Sequence, residues 1–196
     1  GEFDRSAALT LTLSQQEREL IRNAALNGEV ALDACIAALR RGEIVAVKGI
    51  GGFHLMCDAR NAESIARLRE RKHRPHKALA VMFKDMAAVR AELEVSAQAE
   101  AVLGDAARPI VLLLRSPAST FPDGIAPGLH EVGAMLAYSP LHHLLLAQLD
   151  GPLVATSANL SGEPVLTESA EVEARLGKVA DAFLHHDRPI VRPADD

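Results

Sequence analysis

Hydrophobic positions along the chain alternate between two periods, and the alternation predicts a sheet interleaved with helices. Ser14 reads as the cap of a helix running to about Leu26. A second helix is expected from Val30 to Arg41. There Leu32, Ile36 and Leu39 recur at helical spacing, and Gly42 stands where a glycine usually follows a helix end. "EIVAVK", 43–48, is a short apolar run closed by Gly49 and reads as a buried strand. Asn61 can cap a helix that stops before Pro75, because a residue preceding proline avoids the helical region. Strands are expected at 78–83, 109–114 and 152–157, with short helices at 85–93 and 96–103. Residues 116–133, containing Pro and Gly, read as a loop or an irregular edge. Ser139 with Pro140 behind it opens a further helix, and another runs from Thr167, through an acidic first turn, to Gly177. "AFLHH" and "RPIV" close the chain as strands or edges.

Apolar strands alternating with helices predict an α/β or α+β domain, an open sheet covered by helices. The irregular order leaves strand direction open. Residues 15–196 are expected to form a single domain and 1–14 an N-terminal extension; its opening "GEFDRS" is treated as foreign to the fold. At 196 residues and 48% hydrophobic, the chain has enough apolar surface for one well-buried core. The two cysteines, Cys35 and Cys57, have neither metal-ligand spacing nor a disulfide framework, which suits a reducing, cytoplasmic setting. No apolar run is long enough to span a membrane.

Charge sharpens the picture at one place. The net charge is −5, yet residues 69–77, "RERKHRPHK", hold five Lys or Arg and two His. Arg67, Arg71 and Arg74 fall on one helical face, with Glu63–Arg67 and Glu70–Arg74 spaced for ion pairs and Ile65 and Leu68 turned the other way. A charge run by itself commonly faces solvent. Here Lys72, Arg74 and Lys77 straddle a proline at a helix-to-strand junction, and no acid stands between them. Such a cluster suits a polyphosphate, since guanidinium forks and ammonium point charges bind phosphate oxygens. A non-catalytic alternative is a module for double-stranded RNA, with Arg67, Arg69, Arg71 and Arg74 tracking its backbone; the acidic balance and 3% aromatics count against it.

Two loops follow strands and carry polar chemistry. In "KGIGGFHL", 48–55, Gly49, Gly51 and Gly52 let the backbone approach a ligand, and successive N–H groups can form an anion nest. The sequence is neither a Walker A loop nor a GxGxxG turn. In "TSANLSGEP", 156–164, Ser157, Asn159 and Ser161 group hydroxyl and amide on one loop. His142–His143 and His185–His186 are adjacent pairs whose members point to different faces, so neither chelates a metal by itself. Cys57 reads as a small buried residue, not a nucleophile.

Taken in order, "KGIGGFHLMCDA", the basic segment and "TSANLSGEPV" resemble the YrdC-like domain over about residues 29–196. The glycine-turn version, with "IAPGLHEVGAML" and "SPLHHLLL", resembles the YrdC-like domain of HypF-type hydrogenase-maturation carbamoyltransferases. The resemblance implies an open twisted mixed sheet flanked by helices. It also implies ATP-dependent formation of a carbamoyl-adenylate from carbamate derived from carbamoyl phosphate, with Mg²⁺ on the phosphates. Lys72 and Arg74 match the family's Lys-x-Arg, Lys77 the lysine after it, and Ser157 and Asn159 its Ser-x-Asn. Arg192 resembles a terminal Arg-Pro that reaches the nucleotide. Gly51 and Gly52 are expected at the nucleotide, and His54 and Ser157 at the carbamoyl group. Ala78 and Ala137 stand where proline is common in the family. Threonylcarbamoyladenylate synthases, which serve tRNA modification, are the related alternative. They carry a hydroxyl- and Tyr-bearing turn where this chain has Gly51, Gly52, Phe53 and His54. The expected partners are ATP, the flanking domains of a longer HypF-like chain and a HypE-like acceptor protein.

Overall fold

The structure, a computed structural model, describes residues 9–13, 26–159 and 166–193. Nine strands form one sheet among the described residues. They are β1 (Leu9–Leu13), β2 (Leu26–Asn27), β3 (Val45–Lys48), β4 (Phe53–Asp58), β5 (Ala80–Phe83), β6 (Val111–Leu114), β7 (Glu131–Leu136), β8 (Leu153–Ser157) and β9 (Ala182–His186). Their order is β2-β1-β9-β3-β4-β8-β5-β7-β6. β3 runs parallel to β9 and β5 parallel to β7, while the other neighbours are antiparallel, so the open sheet is mixed.

Among the described residues six α-helices cover it: α1 (Gly28–Arg40), α2 (Ala62–Arg71), α3 (Met86–Glu92), α4 (Ala97–Leu103), α5 (Pro140–Gln148) and α6 (Ser169–Leu176). Side chains of adjacent strand residues point to opposite faces. Phe53, Leu55 and Cys57 of β4 therefore join one core with α2, α3, α4 and α6, and Met56 joins a second core with α1 and α5. Each fully buried Leu, Ile or Phe in these layers contributes about 1.5–3 kcal/mol relative to an exposed one. With both faces covered, the central strands are buried throughout, and β3 has no exposed position.

The helix ends follow their caps. Asn61, Asp85, Ser96 and Ser139 each accept a hydrogen bond from a backbone N–H three residues on. Gly42 takes φ +81° after α1. α2 ends at Arg71 because Lys72 caps it and His73 turns to φ 52°, before Arg74 is constrained by Pro75.

Four expectations need correction. Residues 9–13 do not lie outside the domain: "LTLTL" pairs with β9 across five residues, and Leu11 is buried. Residues 53–58 continue past the glycine turn as central strand β4, whose nearly unbroken apolar run fits burial on both faces. The loop expected to 133 stops earlier, because β7 begins at Glu131. "RPIV" forms no strand, and β9 ends at His186. The helix expected from Ser14 falls on residues outside the described ones, as does Ser161.

Candidate functional site

The site forms where β3, β4 and β8 end together in the middle of the sheet. Between β3 and β4 the chain turns tightly, Gly49 N–H donating to the Gly52 carbonyl at 2.7 Å. A Cβ at position 49 would lie 3.0 Å from that carbonyl oxygen and 3.4 Å from His54 Nδ1, so a side chain there would press on the turn. The β4–β8 register then sets His54 opposite Ser157. Gly51, Gly52, His54, Ser157 and Arg192 line one cleft of about 330 Å³. Tyr138 and Arg108 line it too, and neither was expected from sequence. Arg108 is held at φ 50°, a conformation uncommon outside glycine. Both arrive on loops remote in sequence from the glycine turn, and nothing in their local pattern marks them.

His54 Nε2 lies 3.3 Å from the Tyr138 hydroxyl. Behind them His142, on α5, packs edge-on against Tyr138 at 4.6 Å and against His54 at 5.6 Å between ring centroids. Burial, aided by the neighbouring imidazoles, pulls the His142 pKa down to about 3. Ser157 Oγ donates to Asn159 Oδ1 at 2.8 Å, which pre-sets the hydroxyl toward its loop.

The cations stand against the same strand end. Lys72 is 2% exposed, and its ammonium donates to the Ser157 carbonyl and, at 3.3 Å, to Thr156 Oγ1. Arg74 donates to Thr156 Oγ1 at 3.2 Å and to the Ala78 carbonyl at 3.4 Å, while its Nε is buried without a partner among the described residues. Burial lowers the pKa of Arg74. Lys77 is exposed at the outer end of the segment. Lys72, Arg74, Lys77 and Asn159 are thus not part of the cleft lining; Lys72 and Arg74 meet Thr156, whose neighbour Ser157 is. The junction they occupy feeds β5, an interior strand, so the site lies at the strand ends and not at a sheet edge.

Other cations of the basic segment are spent on the fold. Arg69, 9% exposed, donates to the carbonyls of Gly124, Arg74, Pro75, Lys77 and Ile125. Arg67 donates to the Gly42 carbonyl, and Arg71 pairs with Asp181 at 2.7 Å. The expected pairs Glu63–Arg67 and Glu70–Arg74 do not form among the described residues. All four arginines assigned to an RNA track, Arg74 included, therefore make bonds within the fold. Lys48, 6% exposed, was missed; it donates to the His186 carbonyl at 3.0 Å, and burial lowers its pKa against the raising influence of Glu168 and Asp187.

Burial pushes the thiols of Cys35 and Cys57 up to about 12, Asp58 adding to the effect on Cys57, so both are protonated at neutral pH. Among the described residues no three His, Cys, Asp or Glu side chains gather to hold a metal ion, and no helix is long and apolar enough to cross a membrane.

Comparison with known proteins extends these observations. The carbamoyltransferase HypF of Synechocystis is 48% identical over 166 residues, covering 85% of this chain and 22% of that protein. The crystal structure of HypF from T. kodakarensis superposes with a TM-score of 0.89 at 36% identity, covering 97% of this chain and 24% of that one. A full-length HypF in a phosphate- and nucleotide-bound form superposes at 0.86 with 38% identity, covering 99% of this chain and 24% of that one. The chain therefore spans less than a quarter of the HypF proteins it matches. A family model, Sua5/YciO/YrdC, described as "Telomere recombination", matches residues 37–196, from within α1 through the glycine turn, the basic segment and the Ser-Ala-Asn loop. The chain belongs to the Sua5/YciO/YrdC family and is HypF-like within it.

Proposed function

We propose that the chain forms carbamoyl-adenylate from ATP and carbamate, as the YrdC-like part of a carbamoyltransferase serving [NiFe]-hydrogenase maturation and its cyanide ligand synthesis. The observation that carries this reading is the HypF likeness, 48% identity across 85% of the chain, together with a HypF relative solved with nucleotide and phosphate. A carbamate oxygen attacks the α-phosphorus, the bond to the bridging oxygen breaks, and pyrophosphate leaves with its electron pair. No protein nucleophile takes part. Catalysis then consists of positioning and of stabilising the charge that develops on the phosphates.

Lys72, Arg74 and Lys77 supply positive charge to the triphosphate. Ser157 and Asn159 orient the reacting groups, and the backbone of Gly51 and Gly52 comes close to the nucleotide, which Arg192 also reaches. A cleft of about 330 Å³ is of the size that small-molecule sites take. Mg²⁺ enters as part of the metal–nucleotide substrate, held by phosphate oxygens and water, since the described residues offer it no cage. The carbamoyl group passes on to other domains of a HypF-like chain and a HypE-like acceptor. Two buried, protonated cysteines suit a reducing, cytoplasmic setting.

Pyrophosphate release from ATP tests the reading. It is expected with carbamate, supplied as ammonium bicarbonate, and not with L-threonine and bicarbonate under matched conditions. Release only with threonine would assign the chain to threonylcarbamoyl-adenylate formation instead.

A further inference from the structure

We propose that Arg108 binds a phosphate group of the nucleotide, as a further cation of the adenylation site; the proposal rests on the nucleotide half of the reading above. Arg108 lines the cleft together with Arg192, Ser157, Gly51 and Gly52. Among the described residues no Asp or Glu lines that cleft, and neither arginine forms an ion pair. The lining therefore carries positive charge that it does not balance itself. Carbamate, a monoanion, balances one of the guanidiniums. A polyphosphate balances both, and its oxygens match the fork of each.

The backbone at this residue is held against its preference. Arg108 takes φ 50°, in the left-handed region that a Cβ disfavours. Pro109 adds to the cost, since a residue before proline favours extended backbone at negative φ. The loop holds the turn with its own bonds. The Arg108 N–H donates to the Asp105 carbonyl at 3.0 Å, and Asp105 Oδ1 accepts from the Ala107 N–H at 2.8 Å. Positions strained in this way gather at ligand sites. The fold, in turn, asks little of the guanidinium. Among the described residues its side chain makes one bond, from Nη1 to the Leu103 carbonyl at the end of α4, at 3.4 Å. The planar fork carries further N–H donors beyond that one. Structural arginines of this chain look different: Arg69 donates to five carbonyls, and Arg71 meets a carboxylate at 2.7 Å.

The test is calorimetric titration of the 196-residue chain with ATP and with AMP, beside urea melts. Arg108→Gly removes the fork and takes φ 50° without a Cβ in the way. It is expected to weaken ATP binding about 10- to 100-fold, the loss of charge-assisted bonds. Its denaturation midpoint should stay within about 0.3 M of wild type or rise, because strain is released. Arg108→Lys keeps the charge without the fork and should recover part of the lost affinity. AMP binding weakened in parallel supports a contact on the α-phosphate; AMP binding unchanged supports one on the pyrophosphate that leaves. An unchanged ATP Kd in Arg108→Gly overturns the assignment, and a lowered midpoint beside it makes Arg108 a cap for the end of α4. An unchanged ATP Kd with a raised KM for carbamate overturns it in favour of the acid. An Arg108→Lys variant that binds ATP no better than Arg108→Gly overturns direct binding by this side chain. A wild type that binds ATP but releases no pyrophosphate with carbamate refutes the adenylation step alone, and the titrations of the variants still decide the role of Arg108. A wild type that does not bind ATP overturns both.

Discussion

Replacing Arg69 by Met should unfold the chain more readily and loosen the segment that carries Arg74 and Lys77. Arg69 donates to five backbone carbonyls, three of them within residues 74–77 and two at residues 124 and 125. Methionine keeps much of the stem packing and removes every donor. The bonds are not equal in worth. Pro75 and Lys77 are exposed residues whose carbonyls can turn to water, whereas Ile125 is fully buried and its carbonyl would keep only the Leu79 N–H, at 2.9 Å. Two bonds from a charged donor to the 124–125 turn, at about 1.5–3 kcal/mol each, set the main loss. Allowing for relaxation, about 3 kcal/mol is expected, a large share of the ~5–15 kcal/mol that domains possess. At an m-value of about 2 kcal/mol per molar urea, the denaturation midpoint falls by ~1.5 M. Arg69→Lys retains the charge but reaches fewer carbonyls, and it should recover less than half of that loss. Limited trypsin digestion under native conditions should show new cleavage after Lys72 or Lys77. A midpoint within about 0.3 M of wild type, with no new cleavage, would refute the claim that this guanidinium organises the loop.

Arg74→Ala should weaken calorimetric ATP binding ~10- to 100-fold while shifting stability by less than about 1 kcal/mol; an unchanged Kd removes Arg74 from the nucleotide site. Lys72→Ala should lower both affinity and stability, because that side chain is 2% exposed and bonded to the end of β8. Gly42→Ala meets both a φ of +81° and a Cβ 2.7 Å from Asn61 Nδ2, so it should cost about 2 kcal/mol in urea melts; a loss under ~0.5 kcal/mol would contradict the strain. His142, with its pKa lowered from 6.5 to about 3, binds a proton in the unfolded chain before it does in the folded one. Its contribution is complete above pH 6.5 and is lost as pH falls toward 3, at up to ~1.4 kcal/mol per pH unit. His142→Phe should flatten that acid slope, and equal slopes in wild type and variant would show that the imidazole does not stay neutral.

The readable parts of the fold were those with local causes. Asn61, Asp85, Ser96 and Ser139 cap helices through their own side chains, so each helix start is written within four residues. Gly42 and the residues around Pro75 mark ends in the same local way. β4 and β7 were hidden because their reasons are tertiary. "FHLMCD" has no alternation to read, since both of its faces are covered, and in "EVGAML" a glycine interrupts the pattern. A Cβ at Gly133 would stand 3.0 Å from Ile110 Cγ2, just ahead of the neighbouring strand β6, a contact that no single segment reveals. The basic segment was legible as charge but not as a division of labour. Arg67, Arg69 and Arg71 differ from Arg74 only in what faces them, and Gly42, Ile125 and Asp181 lie far along the chain.

That division gives the site its logic. Adjacent strand residues point to opposite faces, so Thr156 meets Lys72 and Arg74 while Ser157 lines the cleft with His54 and Tyr138. One residue step along β8 separates the charge-bearing side from the side that would read a small acid. An adenylation joins those two partners at one phosphorus, and it needs both held from a single rigid element, because reacting atoms must approach to about 3–3.5 Å. Strand β8, paired on both sides by β4 and β5, is such an element. On that reading, the acid would lie where His54 and Tyr138 line the cleft beside Ser157, with His142 packed against both rings.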